Sequence, residues 1–476
     1  MIPILSGNVA SGLGGAYDVA NSLRFNDGSS DYISKTLGTA SNRKIFTVSY
    51  WIKKTTNGLH TPIVEVASSG GSIGGSENAA YIAFNTSDKL NWYETHGGGV
   101  INLTTNRQFR DPNAWYHIMY AVDTTQGTST NRIKLYVNGT QETSFDSGAS
   151  TYPSENLESY INSNQDATYI GRSRYSNKYF DGYMCEVVHV DGTAQSPTDL
   201  GEFDEDSPNI WKPKNVSGLT FGTNGFYLDF EDSSSLGNDA AGSNNFAVSN
   251  LTSIDQSTDT CTNNGCTLNP LYKQDHAFSE GNLGYTSSAS DWDSAPGTIA
   301  ASSGKYYCEM KVTATAGGVT RSVLGICDVR DGNLVAESEF GLTSGTAGDN
   351  VGYGPGAVHK NNGGAGGTFA SYTTNDIIGM YADLDNGKVY FSKNGTMQNS
   401  GDPTSGSTGT GAISITTGQT YLLGVTAYGG GASQSNFGSP PYAVSSGNQD
   451  PNGYGNFEYG TQNYYTLNTK NLAEFG

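Results

Sequence analysis

Apolar and polar positions alternate with a period of two in run after run of this chain, and its first half holds no stretch with sustained helical spacing. Phe46, Val48, Tyr50 and Ile52 lie on one side of an extended run, with Thr47 and Ser49 between them. Residues two apart share a face of a strand, so this run predicts a strand with one buried side. The same pattern predicts strands near 22–25, 63–66, 81–84, 115–122, 133–137, 169–172 and 180–190. In the second half it recurs near 306–312, 323–326, 376–383, 388–392 and 421–425. Asn138-Gly139 and Asn394-Gly395 follow strand runs and are strong hairpin signals, and Asp385-Asn386-Gly387 marks a tight turn. Many short strands with regular turn signals predict an all-β protein built from antiparallel sandwiches or jelly rolls.

The chain has 476 residues, too many for one core, and the pattern divides it. From 232 to 269 Ser, Asn, Asp, Thr and Gly dominate, which predicts a linker open to proteolysis. The expected organisation is an N-terminal arm over 1–20, a sandwich over 21–231, the linker over 232–269, a second sandwich over 270–460 and a tail over 461–476. The arm holds Ile2, Ile4, Leu5, Leu13, Tyr17 and Val19 among glycines and serines. That is too little to fold alone and more than a spacer needs, so it is expected to order against a partner.

Composition narrows the function. Charged residues are only 15% of the chain, while Gly numbers 63 and Tyr 30, a mixture suited to polar surfaces with rigid aromatic contacts. The net charge of −20, with no basic stripe, argues against nucleic acid and against an anionic membrane surface. No run reaches the ~18 apolar residues of a membrane span, so no membrane insertion is expected. The apolar run Ile2-Pro3-Ile4-Leu5 is too short for the core of a signal peptide. Five cysteines do not make a disulfide framework. Cys185 and Cys308 sit in strand runs as small hydrophobes, while Cys261 and Cys266 share a polar stretch and are open to either a bridge or free thiols.

Resemblance adds to this. The runs 46–52, 115–117, 134–139, 169–172 and 180–187 together resemble a laminin-G-like, concanavalin-type jelly roll. The stretches 303–309 and 376–395 of the second half resemble a SPRY domain, a family that implies binding rather than catalysis. The pairing of the two, with the segments 1–7, 21–26 and 467–472, resembles bacteriophage tail-fibre or virion proteins. That resemblance implies a protein made in the host cytoplasm without a signal peptide and carried on the outer face of the virion. It also implies other virion proteins as partners through the N-terminal arm, a host-surface glycan as ligand, and a homo-oligomer, a trimer being the usual form for fibres. A head decoration or fibre protein is the alternative of the same class.

Candidate chemistry follows. Glu202, Asp204 and Asp206 would share a face if they lay on one strand, and paired carboxylates about 5–5.5 Å apart serve retaining glycosidases. This makes a polysaccharide depolymerase the rival reading. Ser196-Pro197 before the cluster and Ser207-Pro208 after it read as loop, so no enzyme activity is expected. No cofactor is expected. Calcium is the candidate that laminin-G-like loops imply, with Asp27, Asp31, Asp123 and Asp181 as loop-edge carboxylates. Aromatic side chains beside Gly-rich loops are the candidate ligand-binding residues, since ring faces stack on sugars: Trp92, Tyr93 and His96, then Tyr175 and Tyr179, then Tyr353, His359 and Tyr372.

Overall fold

The alternating run at 46–52 becomes the strand Ile45–Lys54. The computed structural model describes residues 17–39, 41–67, 78–96, 99–174, 177–272, 276–288, 292–315, 317–330, 340–341, 348–361 and 363–476. The chain forms two units, the first running to Thr262 and the second from Asn263 onward.

In the first unit one sheet has the order Thr140–Glu142, Ile133–Val137, Trp115–Asp123, Ile45–Lys54, Gly182–Asp191, Ser22–Phe25 and Gln256–Ser257, with Phe226–Leu228 also paired to Gly182–Asp191. The facing sheet has the order Phe145–Thr151, Gly99–Gln108, Lys89–His96, Ala79–Phe84, Thr61–Ala67, Ala167–Ile170, Tyr32–Thr36 and Ala247–Ser249. Every strand pair in both sheets is antiparallel. Phe46, Val48 and Ile52 from one sheet and Val64, Ile82 and Trp92 from the other fill a single core. Each large apolar side chain fully buried there contributes roughly 1.5–3 kcal/mol.

The second unit repeats the plan. Its larger sheet runs His276–Ser279, Gly284–Ser287, Ala432–Asn436, Lys305–Ala314, Ile377–Asp383, Lys388–Lys393 and Thr396–Met397. Its partner runs Trp292–Ala301, Tyr421–Tyr428, Ser322–Asp328, Asn350–Gly354, Ala357–Lys360 and Gly363–Gly364. Met310, Ile378 and Phe391 meet Leu324, Ile326 and Leu423 in the core between them.

Two expected boundaries are corrected. The segment 232–269 is not a linker. Leu236, Phe246 and Leu251 are buried in the first core, Ala247–Ser249 pairs with Tyr32–Ser34, and Gln256–Ser257 pairs with Ser22–Leu23. From Asn263 the chain already belongs to the second unit, where Leu268 bridges to Gly297. Few apolar residues suffice here because each is placed on a sheet edge or under one. The tail over 461–476 is likewise part of the second sandwich. Tyr465–Thr466 lies parallel to Tyr306–Tyr307, Leu467 is fully buried, and the helix Thr469–Phe475 is capped by the Asn468 side chain, which accepts from the Asn471 N–H. Of the expected N-terminal arm, residues 1–16 lie outside the described residues. Val19 is buried with Trp51 and Trp115, and its N–H donates to Thr262 Oγ1 (3.0 Å). All five cysteines are buried thiols outside any disulfide.

Candidate functional site

The outer face of the second sheet of the first sandwich carries a row of side chains set by strand register. Tyr169 lies opposite Glu65, Glu65 opposite Tyr81, Tyr81 opposite Tyr93 and Tyr93 opposite Asn102. Alternation explains the row, because the inward neighbours Ile170, Val64, Ile82 and Trp92 are all core residues. Tyr81 and Tyr93 stack at 5.6 Å, and the His60 ring meets Tyr81 edge-on at 5.7 Å. All three remain partly exposed.

A short hairpin folds over the middle of this row. Arg172–Ser173 pairs with Lys178–Tyr179, and the Phe180 N–H closes the loop onto the Gly171 carbonyl (2.8 Å). Gly171 has φ +83° and sits so close to Phe25 that a Cβ would lie 2.8 Å from its ring, so glycine alone fits. Glu65, fully buried, holds the hairpin down. It accepts from Ser173 Oγ (2.6 Å) and from the Arg174 N–H (2.7 Å). The hairpin thereby lays the Arg172 guanidinium against three tyrosines, 4.7 Å from the Tyr32 centroid and 5.6 Å from those of Tyr169 and Tyr179.

Beside the hairpin is a hollow of about 300 Å³, lined among others by Asp27, Ser30, His60, Asn177, Lys178 and Tyr179. The loop that supplies Asp27 is self-supporting, since the Asn26 N–H donates to Asp31 Oδ2 (2.9 Å) and the Gly28 N–H to Asn26 Oδ1 (3.1 Å). Burial and the nearby Lys178 ammonium push the His60 pKa down, so its ring is neutral at pH 7 and offers one donor and one acceptor. The hollow thus combines an aromatic face, uncharged polar groups and charges of both signs.

The sequence-predicted aromatics divide. Tyr179 lines the hollow and Tyr93 stands in the outer row. Trp92 is corrected: it is fully buried between the sheets, edge-on to Tyr120 at 5.0 Å. Tyr353 and Tyr372 are corrected too. Both are buried, with the Tyr353 hydroxyl donating to the Ala370 carbonyl (2.6 Å) and the Tyr372 hydroxyl set between the carbonyls of Ser322 (2.6 Å) and Tyr353 (2.7 Å). Tyr353 is turned inward on the strand Asn350–Gly354, Tyr372 reaches the core from a loop, and backbone carbonyls satisfy both hydroxyls. His359 is half-buried on the strand Ala357–Lys360 and joins no cluster with the others. Tyr175 and the His96 side chain lie outside the described residues. Arg172, Tyr32, Tyr81 and His60 are the participants that sequence reasoning missed. Arg172 and Tyr169 were visible only as part of a strand motif.

Of the acidic cluster, Glu202 and Asp204 meet only across the Lys212 ammonium, at 3.6 Å and 3.5 Å, and not along one strand. Of the three only Glu202 is on a strand, Gly201–Phe203, where it is half-exposed with Lys214 also at 3.9 Å. Asp204 accepts the N–H groups of Asp206 (3.0 Å) and Ser207 (2.9 Å), so it holds a turn. The premise of three carboxylates alternating on one face therefore fails. The carboxylates considered for calcium are also dispersed in their duties. Asp123 accepts from Thr125 and Gln126 within its own turn, and Asp31 holds the Asn26 loop. Among the described residues no group of three or more His, Cys, Asp or Glu is placed to hold a metal ion.

The model of the concanavalin A-like lectin/glucanases superfamily matches residues 27–198, which include the tyrosine row and the hairpin. No curated protein sequence matches the chain. Among solved structures, the SPRY domain of human HERC1 is 17% identical, covers 35% of this chain and 96% of its own, and has a TM-score of 0.28. Domains LG4-5 of the mouse laminin alpha1 chain are 9% identical over 93% of this chain and 97% of their own, with a TM-score of 0.29. A putative carbohydrate binding protein from Bacteroides ovatus is 18% identical over 49% of this chain and 58% of its own, with a TM-score of 0.32. The chain is an all-β protein of two antiparallel sandwiches, the first of which contains the residues, 27–198, that the concanavalin A-like lectin/glucanases superfamily model matches.

Proposed function

We propose that this chain is a non-catalytic carbohydrate-binding protein and that the hollow beside the 172–179 hairpin is its sugar site. The observation that carries the reading is that the half-exposed Tyr179 and His60 rings line that hollow, within the superfamily-matched region. A ring face packs against the apolar face of a sugar, and Asn177, Ser30 and neutral His60 offer hydrogen bonds to hydroxyls. Glu65 pins the hairpin that carries Tyr179, so little conformational entropy is lost on binding. A single shallow site of this size binds weakly, and several copies on one particle raise avidity by about 10²–10⁴.

The proposal extends to the setting. A phage tail fibre, oligomeric, anchored by its N-terminal arm to other virion proteins and facing a host glycan, fits the terminal sequence resemblances and a binding role. Deleting residues 2–16, which spares the packed Tyr17 and Val19, should then abolish incorporation into particles, and normal incorporation would remove that role.

The sugar reading is tested by probing an array of neutral and acidic glycans with the full-length chain. Binding should fall at least tenfold for Tyr179→Ala, with the melting temperature of the protein held within a few degrees. Incubation with a bound polysaccharide should leave its chain length unchanged; released oligosaccharide would overturn the non-catalytic reading.

A further inference from the structure

Alternation turns Cys185 away from the first core. Its neighbour Met184 is a core residue, while Tyr183 and Cys185 join Trp51 and Trp115 in a separate buried cluster on the other face of the sheet. That face is covered by the last residues of the first unit, the strap 257–262, which leads into the second unit at Asn263. Ser257 pairs with Ser22, and the Ser22 hydroxyl donates to the Asp259 carbonyl (2.6 Å). At the far end of the strap, Thr262 Oγ1 accepts from the Val19 N–H (3.0 Å). Between these ties the Asp259 carboxylate reaches the Lys53 ammonium at 2.7 Å. Lys53 lies opposite Tyr183, and Trp51 lies opposite Cys185. Two residues farther along the strap, Cys261 meets the strand two residues farther on, at Cys185, within one buried cluster. Cys185 is the side chain that bears most directly on the Cys261 thiol. The other cysteines lie apart, Cys266 and Cys308 in the core of the second unit and Cys327 beside Val323 and Phe340.

We infer that Cys185 and Cys261 are a disulfide-forming pair, a dithiol in a reducing compartment and a bond in an oxidising one, and that the bond staples the strap to the first sandwich. Burial pushes the Cys261 thiol well above its ordinary pKa, so the closed strap is inert and reaction waits on local opening. In the open strap the Cys261 thiolate attacks one sulfur of a disulfide oxidant such as oxidised glutathione. A mixed disulfide forms and one glutathione thiolate leaves. As the strap redocks, Cys185 gives up its proton, attacks the Cys261 sulfur and displaces the second glutathione. The two protein thiols lose two electrons and two protons, and oxidised glutathione becomes two thiols. The bond closes a long loop, from 185 to 261, and so removes entropy from the unfolded chain.

The test equilibrates the full-length chain with reduced or with oxidised glutathione, digests it without reduction and maps the linked peptides by mass spectrometry. Oxidised glutathione should yield a peptide joining Cys185 to Cys261. It should also raise the melting temperature of the first sandwich by roughly 5–15 °C, a rise that dithiothreitol reverses. Cys261→Ala and Cys185→Ala should each abolish the rise, and Cys266→Ala should leave it. Where either of the first two impairs folding, the peptide map of the unsubstituted chain decides. Thiols at 185 and 261 that both remain open to alkylation after oxidation, once the protein is denatured, would overturn the pairing. So would a bond from Cys261 to Cys266 in its place. A bond from Cys185 to Cys261 that leaves the melting temperature unchanged or lowers it would overturn the stapling role.

Discussion

His117 shows how a polar side chain becomes core. It lies fully buried with the Trp51 ring stacked at 4.9 Å, and the Trp211 Nε1–H donates to its Nδ1 at 2.9 Å. Because Nδ1 accepts, the ring proton sits on Nε2 and is donated to Ser49 Oγ, 2.8 Å away. Burial holds the ring neutral by pushing its pKa down to about 3. Lys53 and Asp259 solve the same problem with charge. They pair at 2.7 Å in the interior, and the Trp115 Nε1–H donates to the second carboxylate oxygen at 3.2 Å. Removing one partner strands a buried ammonium, which typically costs ~3–5 kcal/mol. Asp259→Ala should therefore lower the urea midpoint of the first sandwich by a large margin, while an exposed pair such as Arg107–Glu142 should cost under ~1 kcal/mol when broken. An Asp259→Ala protein as stable as the parent would mean that this ammonium escapes to water.

At the scale of elements, hairpins were the most legible feature of the sequence. Asn138-Gly139 adopts φ +47° and +72° and joins Ile133–Val137 to Thr140–Glu142, and Asn394-Gly395 does the same at +47° and +75°. Both central residues of such a turn need left-handed backbone, which Asn and Gly tolerate. The segment 232–262 was illegible because its strands are two and three residues long, too short for alternation to register. Its content is nonetheless required, since Leu236, Phe246 and Leu251 close the first core. A fragment spanning 17–262 should show a cooperative thermal transition, and one spanning 17–231 should not. Cooperative melting of the shorter piece would return 232–262 to the status of a linker.

Taken as a whole, the first sandwich buries groups whose titrations oppose one another. Burial raises Glu94 and Glu186 to about 7 from 4.5, and lowers His117 to about 3 and His189 to about 4 from 6.5. Between pH 4.5 and 7 the folded carboxyls keep protons that the unfolded chain releases, so they make stability fall as pH rises. From pH 6.5 downward the unfolded histidines take up protons that the folded ones refuse, so they make stability fall as pH drops. Two carboxyls oppose three histidines, His60 among them, between 4.5 and 6.5 and cancel in part there. Denaturant melts should show a shallow rise with pH over that window and a steeper loss below it, where carboxylates held low by their hydrogen bonds, such as Asp88 and Asp123, join the histidines. Glu186→Gln removes one falling contribution, so stability should then rise more steeply with pH across the window. A profile unchanged by this substitution would show that Glu186 is ionised throughout.

The sequence by itself determined the class of the fold. Period-two alternation and Asn-Gly turns are local signals, and they specify strands and hairpins wherever the strands are long enough to repeat. The motifs of the two sandwiches were local in the same sense. Only the tertiary structure decided which aromatics face outward. Trp92 and Tyr93 are adjacent, and alternation sends one to the core and the other to the outer row, with the choice fixed by which face packs on the opposite sheet. The candidate site was beyond the reach of sequence for a further reason. Tyr32, Tyr169, Arg172 and Tyr179 meet through strand register and a folded-over hairpin, so residues well over a hundred positions apart become neighbours without any spacing that announces it.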